Sequence, residues 1–404
     1  MRSRVVFFVP EWPASNSSVL ESQVLVVAGF LSRRGVTCLF IGTDRSNPEA
    51  RRTELHIQNT YGIQARIFGL YAARPNALNL GYTTYKAFTE ARHLIKSFAP
   101  THVYSRSFMA SMFGRHLAKE NNAISIYDVR GVVSEECALA GPLRGVRSWI
   151  INLLESHEMT HAARLATVSE KLARHIDHQI GRACAVVIPS CYDPERFSVD
   201  RSWRKTMRRE MRAGDKDRVL CYSGGTAPWQ RIEEILMLFE QVAHLTQHVR
   251  FVVLTPDPDA FSGTIASSPH CDRYVVKSCP HHQVARYLSG CDAGIIMRYD
   301  TVVNNVASPI KVAEYLACGL PLVMTKGIGD YSDDLPKRDI GLLLDETADL
   351  AEQVIRFLAR PDFDLLRACA SRYAVEHLTL EANWSRYRYL YEIDSESHLE
   401  RRRA

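Results

Sequence analysis

Residues 293–325 read A-G-I-I-M-R-Y-D-T-V-V-N-N-V-A-S-P-I-K-V-A-E-Y-L-A-C-G-L-P-L-V-M-T. The two ends, A-G-I-I-M and P-L-V-M-T, are short apolar runs of the kind that become buried parallel strands. Between them a helix is announced, with Ser308 as N-cap, Pro309 at the first helical position, and Gly319 then Pro321 as the stop. Strand, helix and strand in so short a stretch make one β/α unit.

The same alternation extends in both directions. Upstream come R-V-L-C-Y-S-G, R-F-V-V-L-T-P and R-Y-V-V-K, and downstream I-G-L-L-L. The first half carries its own series at 4–10, 36–42, 101–105, 124–128 and 185–189, separated by helical patterns such as the one that ends at Gly35. A chain of 404 residues suits two domains, so the pattern predicts an α/β protein with two doubly wound parallel sheets in tandem, divided near D-P-E-R-F at 193–197. In open α/β sheets ligands bind beyond the carboxyl ends of the strands. Two such sheets facing each other would enclose a cleft.

With 46% hydrophobic and 24% charged residues the composition is that of a folded protein rather than a disordered or fibrous one. The apolar run at the N-terminus stops at Pro10 and Glu11, too early for a signal sequence, and is read as the first strand. No run of about eighteen apolar residues predicts a membrane span. None of the ten cysteines forms a C-x-x-C pair, which argues against a zinc ribbon and for reduced core thiols in a cytoplasmic protein. The net charge of +5 is small for this length and does not point to nucleic acid, whose aromatic and basic motifs are also missing. The basic stretch R-S-W-R-K-T-M-R-R-E-M-R is read as a solvated linker helix, with contact to a phosphate-rich partner as the alternative.

The helix at 309–318 poses the sharper question, because Lys311 and Glu314 stand among Ile310, Val312, Ala313, Leu316 and Ala317. At a spacing of three they are either a surface ion pair or the polar lining of a cleft. The second reading is favoured on so apolar a helix. Its uncompensated first-turn N–H groups, with Lys311, would attract a diphosphate, while Glu314 accepts hydroxyls of a ribose.

Here S-P-I-K-V-A-E-Y-L-A-C-G-L-P-L-V resembles the nucleotide-sugar-binding signature of glycosyltransferase family 4, retaining enzymes of the GT-B fold. V-L-C-Y-S-G-G-T-A-P-W-Q, L-A-T-V-S-E-K-L, A-V-V-I-P-S-C-Y-D-P-E-R-F and N-W-S-R-Y-R-Y-L-Y-E-I resemble other parts of the same family. The resemblance implies an acceptor-binding Rossmann-like domain at 1–195, a donor-binding one at 196–378, and a C-terminal helix within 379–404 that packs back on the first. It further implies transfer of a sugar from a nucleotide-diphosphate sugar to a saccharide or lipid-linked saccharide acceptor in polysaccharide or glycoconjugate assembly. Donor contacts are expected from Ser308, Pro309, Ile310, Lys311, Glu314, Gly224 and Gly225.

Three positions depart from the family. Val306 stands where many members have a sugar-binding glutamate, and Gly225 and Gln230 stand where an Arg and a Lys bind the diphosphate. Lys311, Arg298 and Arg231 are the candidate replacements for the cations, and Asp300, Asn304 or Asn305 for the sugar contact. In the first domain the loop P-E-W-P-A-S-N-S-S replaces a Gly-rich one, leaving Ser17 and Ser18 to offer hydroxyls. Arg106, Asp128 and Arg130, which follow predicted strands, are the candidate catalytic residues, with Glu135 and Glu136 nearby.

The resemblance implies a transfer in which the leaving diphosphate helps deprotonate the acceptor, so that the protein mainly stabilises charge and orients the acceptor. No metal or other cofactor is expected, and His281-His282 is read as a solvated helix start. R-G-V-R-S-W-I-I-N-L-L-E at 144–155 is either a buried helix or a peripheral contact with an anionic membrane, such as the inner face of the plasma membrane. An epimerase of the same fold and a non-catalytic sugar-nucleotide-binding scaffold remain the alternatives.

Overall fold

The computed structural model describes residues 3–14, 18–70, 77–138, 144–181 and 185–393. The chain forms two compact units, Met1–Pro189 with Asn383–Ala404, and Ser190–Ala382. The position expected for the boundary, 195, thus falls inside the second unit. Ser190 is tied there by bonds to Ser308: its N–H donates to Ser308 Oγ at 3.1 Å and its hydroxyl to Ser308 O at 2.7 Å.

In the first unit β1 (Arg4–Pro13), β2 (Thr37–Thr43), β3 (Gln64–Phe68), β4 (His102–Ser105), β5 (Ile124–Val129), β6 (Arg164–Thr167) and β7 (Ala185–Val187) form a parallel sheet in the order 3-2-1-4-5-6-7. In the second unit β8 (Arg218–Ser223), β9 (Val249–Leu254), β10 (Tyr274–Lys277), β11 (Ala293–Ile296), β12 (Leu322–Met324) and β13 (Gly341–Leu343) run in the order 10-9-8-11-12-13. β3 and β6 carry no apolar run that would have announced them. β3 lies at the sheet edge with Gln64 exposed and Arg66 turned outward, and β6 is four residues long and begins with Arg164.

Both faces of the second sheet are covered, which is why its strands read as unbroken apolar runs. Along β8, Val219 and Cys221 enter one core and Leu220 and Tyr222 the other. The Ile310–Ala317 helix lies in the first of these cores. Tyr315 packs where a Cβ on Gly294 would collide with its ring, and its hydroxyl accepts from Ser223 N at the end of β8. That bond pins the helix to the end of the strand from which the next loop departs.

Both chain ends build the first unit. The Trp384–Leu390 helix sets Trp384 edge-on to Phe30, with ring centroids 5.6 Å apart, and Tyr391 is buried beside Phe7 and His102. Ser3 donates to Tyr391 O.

The basic helix Arg201–Glu210 is not the solvated linker expected from its charge. Arg204 and Arg208 turn inward and, with Arg367, surround Asp292 at 2.6, 3.0 and 3.2 Å. Asp292 is fully buried and also accepts from Val219 N. Charge in this stretch therefore closes a core.

Candidate functional site

In each sheet strand order reverses beside the first strand, between β1 and β4 and between β8 and β11. Such switch points open a crevice at the carboxyl ends of the strands. In the second unit the crevice is bordered by Gly224 and Gly225 after β8, by Arg298 after β11, and by the start of the Ile310–Ala317 helix.

Lys311 and Glu314 are both buried, at 9% and 5% exposure, and each bonds to a different partner. The Lys311 ammonium donates to Gln230 Oε1 at 3.1 Å and lies 4.7 Å from the centre of the Tyr222 ring. It also presses on Gly224, which sits at φ +147° and whose Cβ, had it one, would collide with Lys311 Nζ. Glycine suits this position for its backbone conformation, and a Cβ there would displace the lysine ammonium. Gly225 borders open space, and its carbonyl accepts from the Tyr222 hydroxyl at 2.6 Å.

Burial lowers the Lys311 pKa to about 7, and Arg298 adds repulsion that Glu314 offsets in part. Arg298 is itself buried, which lowers its pKa to about 10. Its Nη1 donates to Asn304 Oδ1 at 3.3 Å, and its Nε has no partner among the described residues. Two buried cations are therefore adjacent, and among the described residues neither is paired with a carboxylate. Buried charge without a counter-charge is costly, and its natural complement is an anion.

Several expectations change. Ser308 does not cap the helix: its hydroxyl accepts from Ser190 N and pairs with Tyr331 Oη at 3.0 Å. Pro309 is the N-cap rather than the first helical residue, so the helix runs Ile310–Ala317 and no side chain caps it. Tertiary partners outcompete the local cap, which leaves the helix start unscreened. Arg231, at φ +47°, is engaged by Glu234 at 3.3 Å and Glu346 at 2.7 Å and stacks on Tyr299, so its charge is already satisfied. Asn305 donates to Asp300, while Asn304 is buried between Arg298 and Tyr299 O. Val306 is buried.

His281 is no solvated helix start: its Nε2 lies 2.8 Å from Glu314 Oε1, and its ring packs 5.4 Å from that of Phe197. The contact joins residues far apart in sequence, so no local signal could reveal it. Nor was Tyr222 singled out within V-L-C-Y-S-G, although it forms the floor under Lys311.

In the first unit Glu11, Arg106, Asp128 and Arg130 lie at or just beyond the carboxyl ends of β1, β4 and β5. Asp128 is buried, accepts from the Tyr104 hydroxyl, and pairs with Arg130 Nε at 2.6 Å. Arg106 donates to Gln23 Oε1, in a π-helical turn at Glu21–Leu25. Glu11 was not singled out in the sequence, yet it is buried and accepts from the Ser107 hydroxyl and from Ala110 N at 2.8 Å. Burial pushes its pKa up to about 7, against the hydrogen bonds and Arg106, and its Oε2 has no partner among the described residues. Glu135 and Glu136 are exposed. Ser17 and the side chains of Ser18 and His282 lie outside the described residues. Among the described residues no group of three His, Cys, Asp or Glu side chains is placed to hold a metal ion.

Residues 217–360 match the family model described as Glycosyl transferases group 1. The matched span lies within the second unit. That span contains Gly224, Gln230, His281, Arg298, Lys311 and Glu314. The fold is GT-B, two doubly wound units in one chain. It is similar to sucrose-phosphate synthase from Thermosynechococcus elongatus, with a TM-score of 0.71 at 12% identity over 97% of this chain and 98% of that one. It is similar as well to the HepE protein of Anabaena in complex with UDP, with a TM-score of 0.71 at 12% identity over 96% and 99%. The catalytic domain of starch synthase IV from Arabidopsis thaliana bound to ADP and acarbose gives 0.68 at 10% identity over 97% and 99%. At such identities the likeness establishes the fold. No curated protein sequence matches the chain.

Proposed function

We propose that the chain transfers a sugar, with retention of configuration, from a nucleoside-diphosphate sugar to a saccharide or lipid-linked saccharide acceptor in glycoconjugate assembly. The observation that carries this reading is the unpaired cationic couple Lys311 and Arg298, buried at the switch point beside an uncapped helix start. A diphosphate would supply both missing counter-charges, and Glu314, one turn along the same helix, would take a ribose hydroxyl. Charge on the leaving diphosphate is then stabilised by Lys311, Arg298 and the helix N–H groups rather than by a metal ion. Lys311 meets Gln230, the position where the family signature has its own lysine, so the cation is supplied from another element to the same place. Structural relatives solved with UDP, UDP-glucose or ADP support a nucleotide ligand for this fold. Arg106, Asp128 and Arg130 are assigned to the acceptor.

The test is a thermal-shift screen with nucleoside diphosphates and their sugars, followed by assay of nucleotide release. A ligand of the folded state raises Tm, by an amount that grows with concentration. Release that depends on acceptor is the expected result. Acceptor-independent release would indicate epimerase or hydrolase chemistry, binding without release a scaffold, and no shift with any nucleotide would remove the donor site.

The acceptor end of the proposal includes an anionic membrane surface. On the Arg144–His161 helix Val146, Trp149, Ile150, Leu153 and Leu154 recur at helical spacing, and all five are exposed. The carboxylates of the same helix face inward instead. Glu155 accepts from Val133 N and Ser134 N, and Glu158 pairs with Arg115. With Arg147 also exposed, the outer face is apolar and basic. The Arg147→Ala, Trp149→Ala double variant should bind anionic phospholipid vesicles about tenfold more weakly, the value of one buried indole. Vesicle binding equal to the parent's would remove the membrane from the proposal. Among the described residues no helix is long and apolar enough to cross a membrane.

A further inference from the structure

We propose that His281 is a positioning residue that orients the Glu314 carboxylate for recognition of the donor ribose. The inference rests on the reading of Glu314 as a ribose acceptor and adds to it how that carboxylate is held. A carboxylate only accepts hydrogen bonds, so the 2.8 Å contact requires His281 Nε2 to carry the proton and donate it to Oε1. His281 opens the His281–Gly290 helix, and Phe197 packs against its ring, so the donor has a fixed origin. Glu314 is nearly buried on its own helix, with its side chain 7% exposed. Its Oε2 accepts from no group among the described residues.

With Oε1 held, Oε2 has one orientation, and a hydroxyl must meet it there. Without His281 the carboxylate can rotate about its last bond, turn toward Lys311, and lose its selectivity for a diol. The arrangement is that of an outer-shell histidine that fixes a ligating carboxylate, a role whose loss is felt as affinity rather than as fold.

The test compares UDP and ADP with their 2′-deoxy and 3′-deoxy analogues. His281→Leu keeps bulk against Phe197 but cannot donate, whereas His281→Gln keeps a donor. The leucine variant should reduce the preference for the ribonucleotide by about tenfold, the worth of one hydrogen bond to a charged group, while the glutamine variant restores most of it. The KM for the donor should rise in the leucine variant with kcat nearly unchanged. A leucine variant that keeps the parent's preference, while Glu314→Gln loses it, would overturn the role of His281 alone. If Glu314→Gln also keeps the preference, or if the parent has none, the ribose reading of Glu314 itself fails and this inference with it. Equal preferences in the leucine and glutamine variants, both below the parent, would assign the effect to packing and overturn the hydrogen-bond role.

Discussion

Lys311→Met should weaken nucleoside-diphosphate binding by about a hundredfold and abolish its pH dependence above neutrality. The first expectation follows from the loss of a buried ammonium that, in the proposed function, bonds directly to phosphate, worth ~2–3 kcal/mol as a charged hydrogen bond. The second follows from linkage. In the free protein Lys311 has a pKa of about 7, because burial and Arg298 disfavour its charge. A bound diphosphate favours the charged form, so binding takes up a proton between pH 7 and the higher pKa of the bound state. Affinity should therefore be highest below pH 7 and fall above it by up to about tenfold per pH unit, until the pKa of the bound state is reached. Isothermal titration in buffers of different ionisation heat measures both quantities. Full affinity in the methionine variant, or a parent whose affinity is flat between pH 7 and 9, would show that Lys311 is not the phosphate ligand. The free methionine variant should be at least as stable as the parent at neutral pH, since a buried unpaired charge has been removed.

The second large effect is on stability. Asp292→Ala leaves Arg204, Arg208 and Arg367 clustered around a vanished charge, and breaking a buried pair in this way costs ~3–5 kcal/mol. For a unit of this size that lowers Tm by roughly 10 °C. Asp292 is held below the ordinary carboxylate pKa: burial works to raise it, but Arg204 and Arg367 prevail. A depressed folded-state pKa means that the stabilisation is present above the unfolded pKa near 4 and is lost as pH falls through the lower folded value. Acid unfolding should accordingly lose one steep component in the variant. A melting temperature within a degree or two of the parent's would mean that the arginines find other partners, such as the carbonyls of Ser289 and Cys291 that Arg204 already contacts.

The α/β architecture was legible because buried parallel strands must be apolar on both faces, and β8, β9, β11 and β12 stand out for that reason, while the edge strands β10 and β13 are apolar but only partly buried. β3 and β6 did not stand out, because Gln64 and Arg66 interrupt the one and the other has only Leu165 and Ala166 as apolar residues between Arg164 and Thr167. At the site, Lys311 and Glu314 were conspicuous as charges on an apolar helix. What they bond to was not legible, because Gln230, Tyr222, Arg298 and His281 reach them only through the fold. Ser308 shows the converse limit: a residue well suited to capping is used for a long-range bond to Ser190 when the fold presents one. The arginines of 201–212 looked like surface charge because the sequence gives no hint that Asp292 lies beneath them.

The discontinuity of the first unit bears on how the polypeptide matures. Synthesis runs from the N-terminal side to the C-terminal side, so Phe7, Phe30 and His102 leave the ribosome well before Trp384 and Tyr391, which cover them. Residues 190–382 are contiguous and can complete their own core in the interval. The unit made first is therefore finished last, and until residues 383–393 arrive it keeps an apolar groove open along the helix that carries Phe30. A nascent chain stalled before Asn383 would hold a finished second unit attached to an unsealed first one, a species with a ready target for chaperones.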